Sequence, residues 1–281
     1  MGRRKINLDF KKIGEEFLNG SELIPLGKKY GLSQWTLLER FKELGIRKTT
    51  KRFLNKKSFS SHTKENCYWA GFIAADGWVQ KKYCLGIELS IVDKSHLDKF
   101  RFFTKSTADI KTRTRKSFNK KRKYCSIQLN SVDLIRDLDI NFNITRDKSL
   151  SYVPPELNSN LIKHFIRGYM DGDGSIGWHK HNHTIRLNFC SGSECLIEWI
   201  FNQIKENVEH VGNPSTSKRE GSELYSVEFM GKQVINILYW IYSDSVGETR
   251  LERKYNSFLN CLEKYLEKQN GLPTKQKQNR F

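Results

Sequence analysis

One short pattern occurs twice, and it constrains this chain more than any other feature. The first copy is Trp69-Ala-Gly-Phe-Ile-Ala-Ala-Asp76-Gly77, within Glu65–Val79. The second is Ile166-Arg-Gly-Tyr-Met-Asp171-Gly-Asp173-Gly174, within Lys163–Gly177. Each predicts a short apolar helix closed by an acid and a glycine. Asp76 and Asp173 lie 97 residues apart, about the length of one small domain, so an internal duplication is the first expectation.

Gly71 and Ala75 are four residues apart, as are Gly168 and Gly172. Residues at that spacing share a helix face. Glycine in a helix interior costs about 1 kcal/mol, so a face of small residues needs something packed closely against it. The natural partner of each copy is the other copy. Docking them would set Asp76 beside Asp173. Two carboxylates at helix C-termini sit at the wrong end of the macrodipole and repel each other. Solvent, a shared proton or bound cations would relieve them. Oxygen ligands suit a hard cation such as Mg²⁺. Two such ions roughly 3.5–4 Å apart can activate water and stabilise a leaving oxygen. A single Asp-Gly is an ordinary turn pair; two at the same place in matched halves call for more.

The flanking segments support the duplication. After the first copy, Trp78–Tyr83 and Leu85–Val92 read as strands and Asp93–Thr104 as a helix. Asp109–Lys116 alternates with period two, a strand signature, with Lys111, Arg113 and Arg115 on one face. A turn at Ser117–Lys121, a return strand Lys123–Asn130 and a helix Val132–Leu138 follow. The second half repeats the order: a helix over Leu161–Met170, strands Ser175–His179 and Thr184–Cys190, a helix Glu194–Val208, a hairpin Pro214–Phe229, a helix Lys232–Tyr242 and a terminal helix to about Lys268. The fold class expected is therefore α+β: a pseudo-twofold duplicated αββαββα domain behind a small all-α unit. The boundaries expected are 1–50 for that unit, 51–64 for a basic linker, 65–155 and 156–268 for the halves, and 269–281 for a disordered basic tail.

Residues 1–50 predict three short helices. Ile13, Phe17 and Leu18 form one stripe. Ser21 is the expected cap of a second helix ending at Gly31, and Ser33 of a third carrying Trp35, Leu37, Leu38, Phe41 and Leu44. A helix, a short turn with glycine and another helix is the helix-turn-helix pattern, in which early residues of the last helix face base edges. Here those are Gln34, Trp35, Thr36 and, one turn on, Glu39 and Arg40. The bland alternative is a three-helix bundle that binds nothing.

Net charge is +18, which points to a polyanionic partner. From Lys99 to Lys123 eleven lysines and arginines meet one acid, Asp109. Such a ribbon suits the phosphates and major groove of double-stranded DNA. Lys111, Arg113, Arg115 and Lys123 in the first half, and Lys180, Arg186, Lys218 and Arg219 in the second, are the expected contacts. Six cysteines without a C-x-x-C pair argue against zinc and disulfides and for a reducing, intracellular setting; the compartment expected is the cytoplasm or nucleoid of a bacterium or phage-infected cell, or an organelle. No apolar run approaches the ~18 residues of a membrane helix. His179, His181 and His183 alternate and could hold a metal, but hairpin-tip or phosphate contacts fit them better.

Both copies of the pattern resemble the LAGLIDADG motif of homing endonucleases, in the two-motif, monomeric form. The resemblance covers about residues 65–268. It implies β-saddles astride DNA and a double-strand endonuclease cutting across the minor groove, leaving 3′ overhangs. It makes Asp76 and Asp173 the metal-binding acids, helped by backbone at Ala75, Gly77, Gly172 and Gly174, with two or three Mg²⁺ ions that Mn²⁺ could replace. It gives Lys148 and Lys254 the role of polarising water or the scissile phosphate. It matches a supporting polar position to Asp93 and Ser191. Asp171 matches the motif's other acid, a structural one, where the first copy has Ala74. The alternatives on the same scaffold are a non-cleaving DNA-binding regulator and an RNA intron maturase.

Overall fold

The computed structural model describes residues 8–46, 53–80, 83–117, 120–146, 148–218 and 224–270. Contacts divide the chain into two units, Met1–Arg52 and Phe53–Phe281.

The first unit holds α1 (Phe10–Leu18), α2 (Leu23–Tyr30) and α3 (Gln34–Glu43). Asp9 caps α1 by accepting from the amides of Lys11 and Lys12, and Ser33 caps α3 through the Thr36 amide. Gly31 closes α2 at φ +64°, a left-handed conformation glycine adopts without strain. The expected cap at Ser21 is displaced. Glu22 is the N-cap of α2 and makes no side-chain cap bond, while the Ser21 amide donates to the Glu16 carbonyl and finishes α1. Ile13, Leu26, Leu37 and Phe41 form the core, with Phe17 stacked on Phe41. Three short helices enclose little volume, so Leu18, Trp35, Leu38 and Leu44 stay exposed although spacing puts them on apolar stripes.

The second unit contains the duplication. Its first half runs α4 (Lys64–Asp76), β1 (Gly77–Gln80), β2 (Cys84–Ser90), a 3₁₀ turn at Ile91–Asp93, α5 (Lys94–Phe103), β3 (Lys111–Ser117), β4 (Lys120–Asn130) and α6 (Val132–Phe142), followed by the short α7 (Lys148–Ser151). Its second half runs α8 (Ser159–Gly172), β5 (Ser175–His179), β6 (Thr184–Ser191), α9 (Glu194–Asn207), β7 (Ser215–Lys218), β8 (Tyr225–Met230), α10 (Lys232–Tyr242) and α11 (Glu252–Gln269). Each half forms one four-stranded antiparallel sheet, ordered β1-β2-β4-β3 and β5-β6-β8-β7. Leu85, Ile87 and Leu89 pair with Leu129, Ile127 and Cys125 and are buried on one face. In the second sheet Leu187 and Phe189 pair with Phe229 and Val227, and these four are buried together with Ile185. The opposite faces carry the polar and basic side chains, as alternation requires.

Helices α4 and α8 pack directly on each other. In α4 every residue from Asn66 to Ala74 is buried, which explains why its sequence lacks a polar stripe. A methyl group added at Gly71 would overlap the Phe165 carbonyl oxygen, and one at Gly168 the Tyr68 carbonyl oxygen. At Gly172 it would overlap the Ala75 methyl. The glycines thus bring the two backbones into contact, and the seam runs into the core shared by both halves.

Candidate active site at the end of the helix seam

Asp76 is the last residue of α4 and Asp173 the first beyond α8. Gly77 and Gly174 then let each chain turn tightly from helix into strand. A Cβ on Gly77 would lie 2.8 Å from the Ile73 carbonyl oxygen, and one on Gly174 2.7 Å from that of Met170. The Gly172 contact brings the acids together: Asp76 Oδ2 is 3.5 Å from the point a Gly172 Cβ would occupy. Burial, then the charge of Asp173, pushes the Asp76 carboxyl up to about 6. Asp173 keeps an open side to solvent, yet the protein around it also raises its carboxyl, against the pull of Lys148 and Lys254.

The two lysines sit on the carbonyls that close the helices. Lys148 Nζ donates to the Ala74 carbonyl at 2.6 Å. Lys254 Nζ donates to the carbonyls of Met170, Gly172 and Gly174 at 2.8, 2.6 and 2.7 Å. Ammonium groups there satisfy carbonyls that a helix end leaves unpaired and oppose the negative end of its dipole. Burial lowers Lys148 to about 8, although Asp173 and Asp76 oppose the shift; burial lowers Lys254 too.

The donor set suits a hard divalent cation. It consists of two crowded carboxylates and backbone oxygens; the neighbouring Cys190 thiol donates to the Asp173 carbonyl at 3.5 Å. Among the described residues no cluster of three or more His, Cys, Asp or Glu side chains could enclose a metal by itself, so water and substrate oxygens would have to complete an octahedral shell. Of the four backbone positions expected to help, the Gly172 and Gly174 carbonyls already accept from Lys254.

Asp171, two residues from Asp173, faces the other way. It is buried and accepts from the Tyr68 and Tyr242 hydroxyls and the Leu251 amide at 2.7–2.8 Å. His96 lies behind Tyr68, 3.0 Å from its hydroxyl, and burial lowers its imidazole to about 3. Arg167, also inside α8, is buried against the Thr249 and Ile241 carbonyls and His164. The spacing of the repeat gives no hint of Arg167 as a structural residue, because a lone arginine in an apolar helix reads as solvated.

Of the expected DNA contacts, Lys111, Arg113 and Arg115 share the polar face of the first sheet. Arg113 and Arg115 both pair with Glu88, Arg115 at 3.0 Å. Lys123 does not join them. It pairs with Thr114, on the face that carries Cys125 and Ile127, whereas Arg122 pairs with Arg115. The return strand starts at Lys120, earlier than expected, and the turn length that sets this parity cannot be counted from composition. In the second sheet Arg186 bonds Glu228 at 3.0 Å, and Lys180 is exposed in the β5–β6 turn. Lys218 pairs with Tyr225; Arg219 lies outside the described residues. In the first unit Gln34 and Trp35 are exposed, Trp35 at 71%. Thr36 bonds the Ser33 hydroxyl, and Arg40 turns back to Glu43 and the Phe10 ring.

Asp93 stands at the start of the helix expected over Asp93–Thr104. It is the N-cap residue of α5 and holds Arg253 through both carboxylate oxygens, at 2.9–3.2 Å. Ser191 ends β6, and its hydroxyl accepts from the Ser193 amide. The residue that occupies the Asp93 position in the second half is Ser193, the N-cap of α9.

No protein-family model matches the sequence, and no curated protein matches it. Solved structures do. The homing endonuclease I-WcaI bound to its DNA recognition sequence superposes with TM-score 0.50 at 14% identity, over 71% of this chain and 89% of that one. The LAGLIDADG homing endonuclease I-GzeII in complex with its DNA target gives TM-score 0.49 at 15% identity, over 76% and 94%. The N-terminal LAGLIDADG domain of DUF199/WhiA gives 0.45 at 16%, over 69% and 90%. The likeness to I-WcaI is one of fold. No helix among the described residues is long and apolar enough to cross a membrane.

Proposed function

We propose that this chain is a site-specific double-strand DNA endonuclease of the homing type, dependent on a divalent metal. The observation that carries the reading is the meeting of Asp76 and Asp173 at the end of one helix seam, with Lys148 and Lys254 on the carbonyls beside them. A regulator would gain nothing from two carboxylates held at raised pKa. The DNA-bound state of I-WcaI, which shares the fold, supports the choice of substrate.

In this reading Asp76 and Asp173, with the Ala75 carbonyl, would hold Mg²⁺ or Mn²⁺. The bound ions supply Lewis-acid stabilisation of phosphate oxygens and a more acidic water. Lys148 and Lys254 orient water or the scissile phosphate. The polar saddle faces, through Lys111, Arg113, Arg115, Arg122 and Arg186, neutralise phosphates and read bases. Each half serves one strand, so a monomer makes both cuts across the minor groove and leaves 3′ overhangs. The N-terminal helices, with Gln34 and Trp35 exposed, extend the recognised sequence.

Cleavage of a plasmid library in Mg²⁺ tests this. The wild-type chain is expected to linearise a minority of sequences, and Asp76→Asn and Asp173→Asn to abolish linearisation while binding persists. Tight, specific binding without cutting in any divalent metal would refute it.

A further inference from the structure

The pseudo-twofold axis relates two N-cap residues, Asp93 of α5 and Ser193 of α9, and each reaches into the other half. Asp93 grips Arg253, the neighbour of Lys254, through both carboxylate oxygens. From the same helix, Lys99 Nζ donates to the Arg250 carbonyl at 3.1 Å. In the opposite direction, the Ser193 hydroxyl donates to the Tyr152 carbonyl at 2.7 Å, four residues beyond Lys148 and next to the end of α7. Both lysines are buried, 8% exposed for Lys148 and 7% for Lys254, and among the described residues each bonds carbonyls of its own half.

We infer that Asp93 and Ser193 are reciprocal positioning residues: each half of the domain sets the lysine of the other half's cutting centre. Rested on the nuclease reading above, this makes neither centre complete within its own half. The two braces are unequal. A bidentate carboxylate–guanidinium pair fixes direction as well as distance, and it acts one residue from Lys254. A single hydroxyl bond acts four residues from Lys148, just past the end of a four-residue helix. The centre at Asp173 is therefore the more firmly built.

Neither residue touches the reacting atoms, so the test reads position as well as rate. In the metal-free full-length protein, reductive methylation of lysines is followed by peptide mass spectrometry. Asp93→Ala is expected to raise labelling of Lys254 several-fold and leave Lys148 unchanged. Ser193→Asp keeps an acceptor for the α9 cap but loses the donor to Tyr152, and is expected to raise labelling of Lys148 alone. Asp93→Asn replaces Asp93→Ala if the latter fails to fold. Labelling that rises equally at both lysines, rises only at the lysine of the mutated half, or rises at neither overturns the proposal. In strand-resolved cleavage, a misplaced lysine is expected to slow its own strand by roughly tenfold or more. Nicked DNA then accumulates, with opposite strands intact in the two variants; equal slowing of both strands also counts against the braces. A wild-type chain that cuts nothing would refute the nuclease reading, while the labelling arm would still decide the proposal.

Discussion

Replacing Asp76 by Asn should make the metal-free protein more stable, although it removes a residue placed at the centre of the site. The Asp76 carboxyl is raised from 3.8 to about 6, first by burial and then by Asp173. A raised acid favours the protonated form in the folded state. Its penalty is absent below about pH 4, grows as pH rises through 6, and is complete above that. A shift of about two units at about 1.4 kcal/mol each sets a ceiling near 3 kcal/mol. Because Asp76 keeps partial solvent contact, about 1–3 kcal/mol is expected. For a unit of this size that is a rise in Tm of roughly 3–10 °C. Thermal melts in EDTA between about pH 4 and pH 8 should show the Asp76→Asn gain at the alkaline end and its disappearance at the acid end. Added Mg²⁺ should narrow the difference, because it stabilises the wild type by binding. A gain that is independent of pH, or a loss at pH 8, would refute the account of the paired acids.

Asp171→Leu should act in the opposite sense. It strands the Tyr68 and Tyr242 hydroxyls and the Leu251 amide, so a loss of at least about 3 kcal/mol is expected in urea unfolding. Gly168→Ala drives a methyl into the Tyr68 carbonyl; a loss of about 1–3 kcal/mol should appear in thermal melts together with slower cleavage of both strands. Glu88→Gln releases Arg113 and Arg115 from their shared carboxylate. DNA affinity followed by fluorescence anisotropy should then fall more steeply with salt, the slope growing by about one.

What was legible in the sequence is what depends on local spacing. The repeat, the glycine faces and the two acids at helix ends follow from residues four apart and from a domain-length interval. The strands follow from period two. Less legible was anything that needs a count across a turn. Lys123 and Arg122 exchange faces because of where β4 begins. Least legible was what spans the fold. Arg253 is 160 residues from Asp93, and nothing near either one announces the other.

The seam between α4 and α8 is written in backbone, since Gly71 and Gly168 each lie against a carbonyl oxygen of the other helix rather than against a particular side chain. A chimera that joined this first half to a foreign second half would find that seam permissive, as any partner helix with a glycine at the same step offers the same surface. The braces at Asp93–Arg253 and Ser193–Tyr152 cross the same boundary through side chains on three of their four ends. Such hybrids should therefore assemble readily, and their cutting should depend on whether those side chains are transplanted as a set.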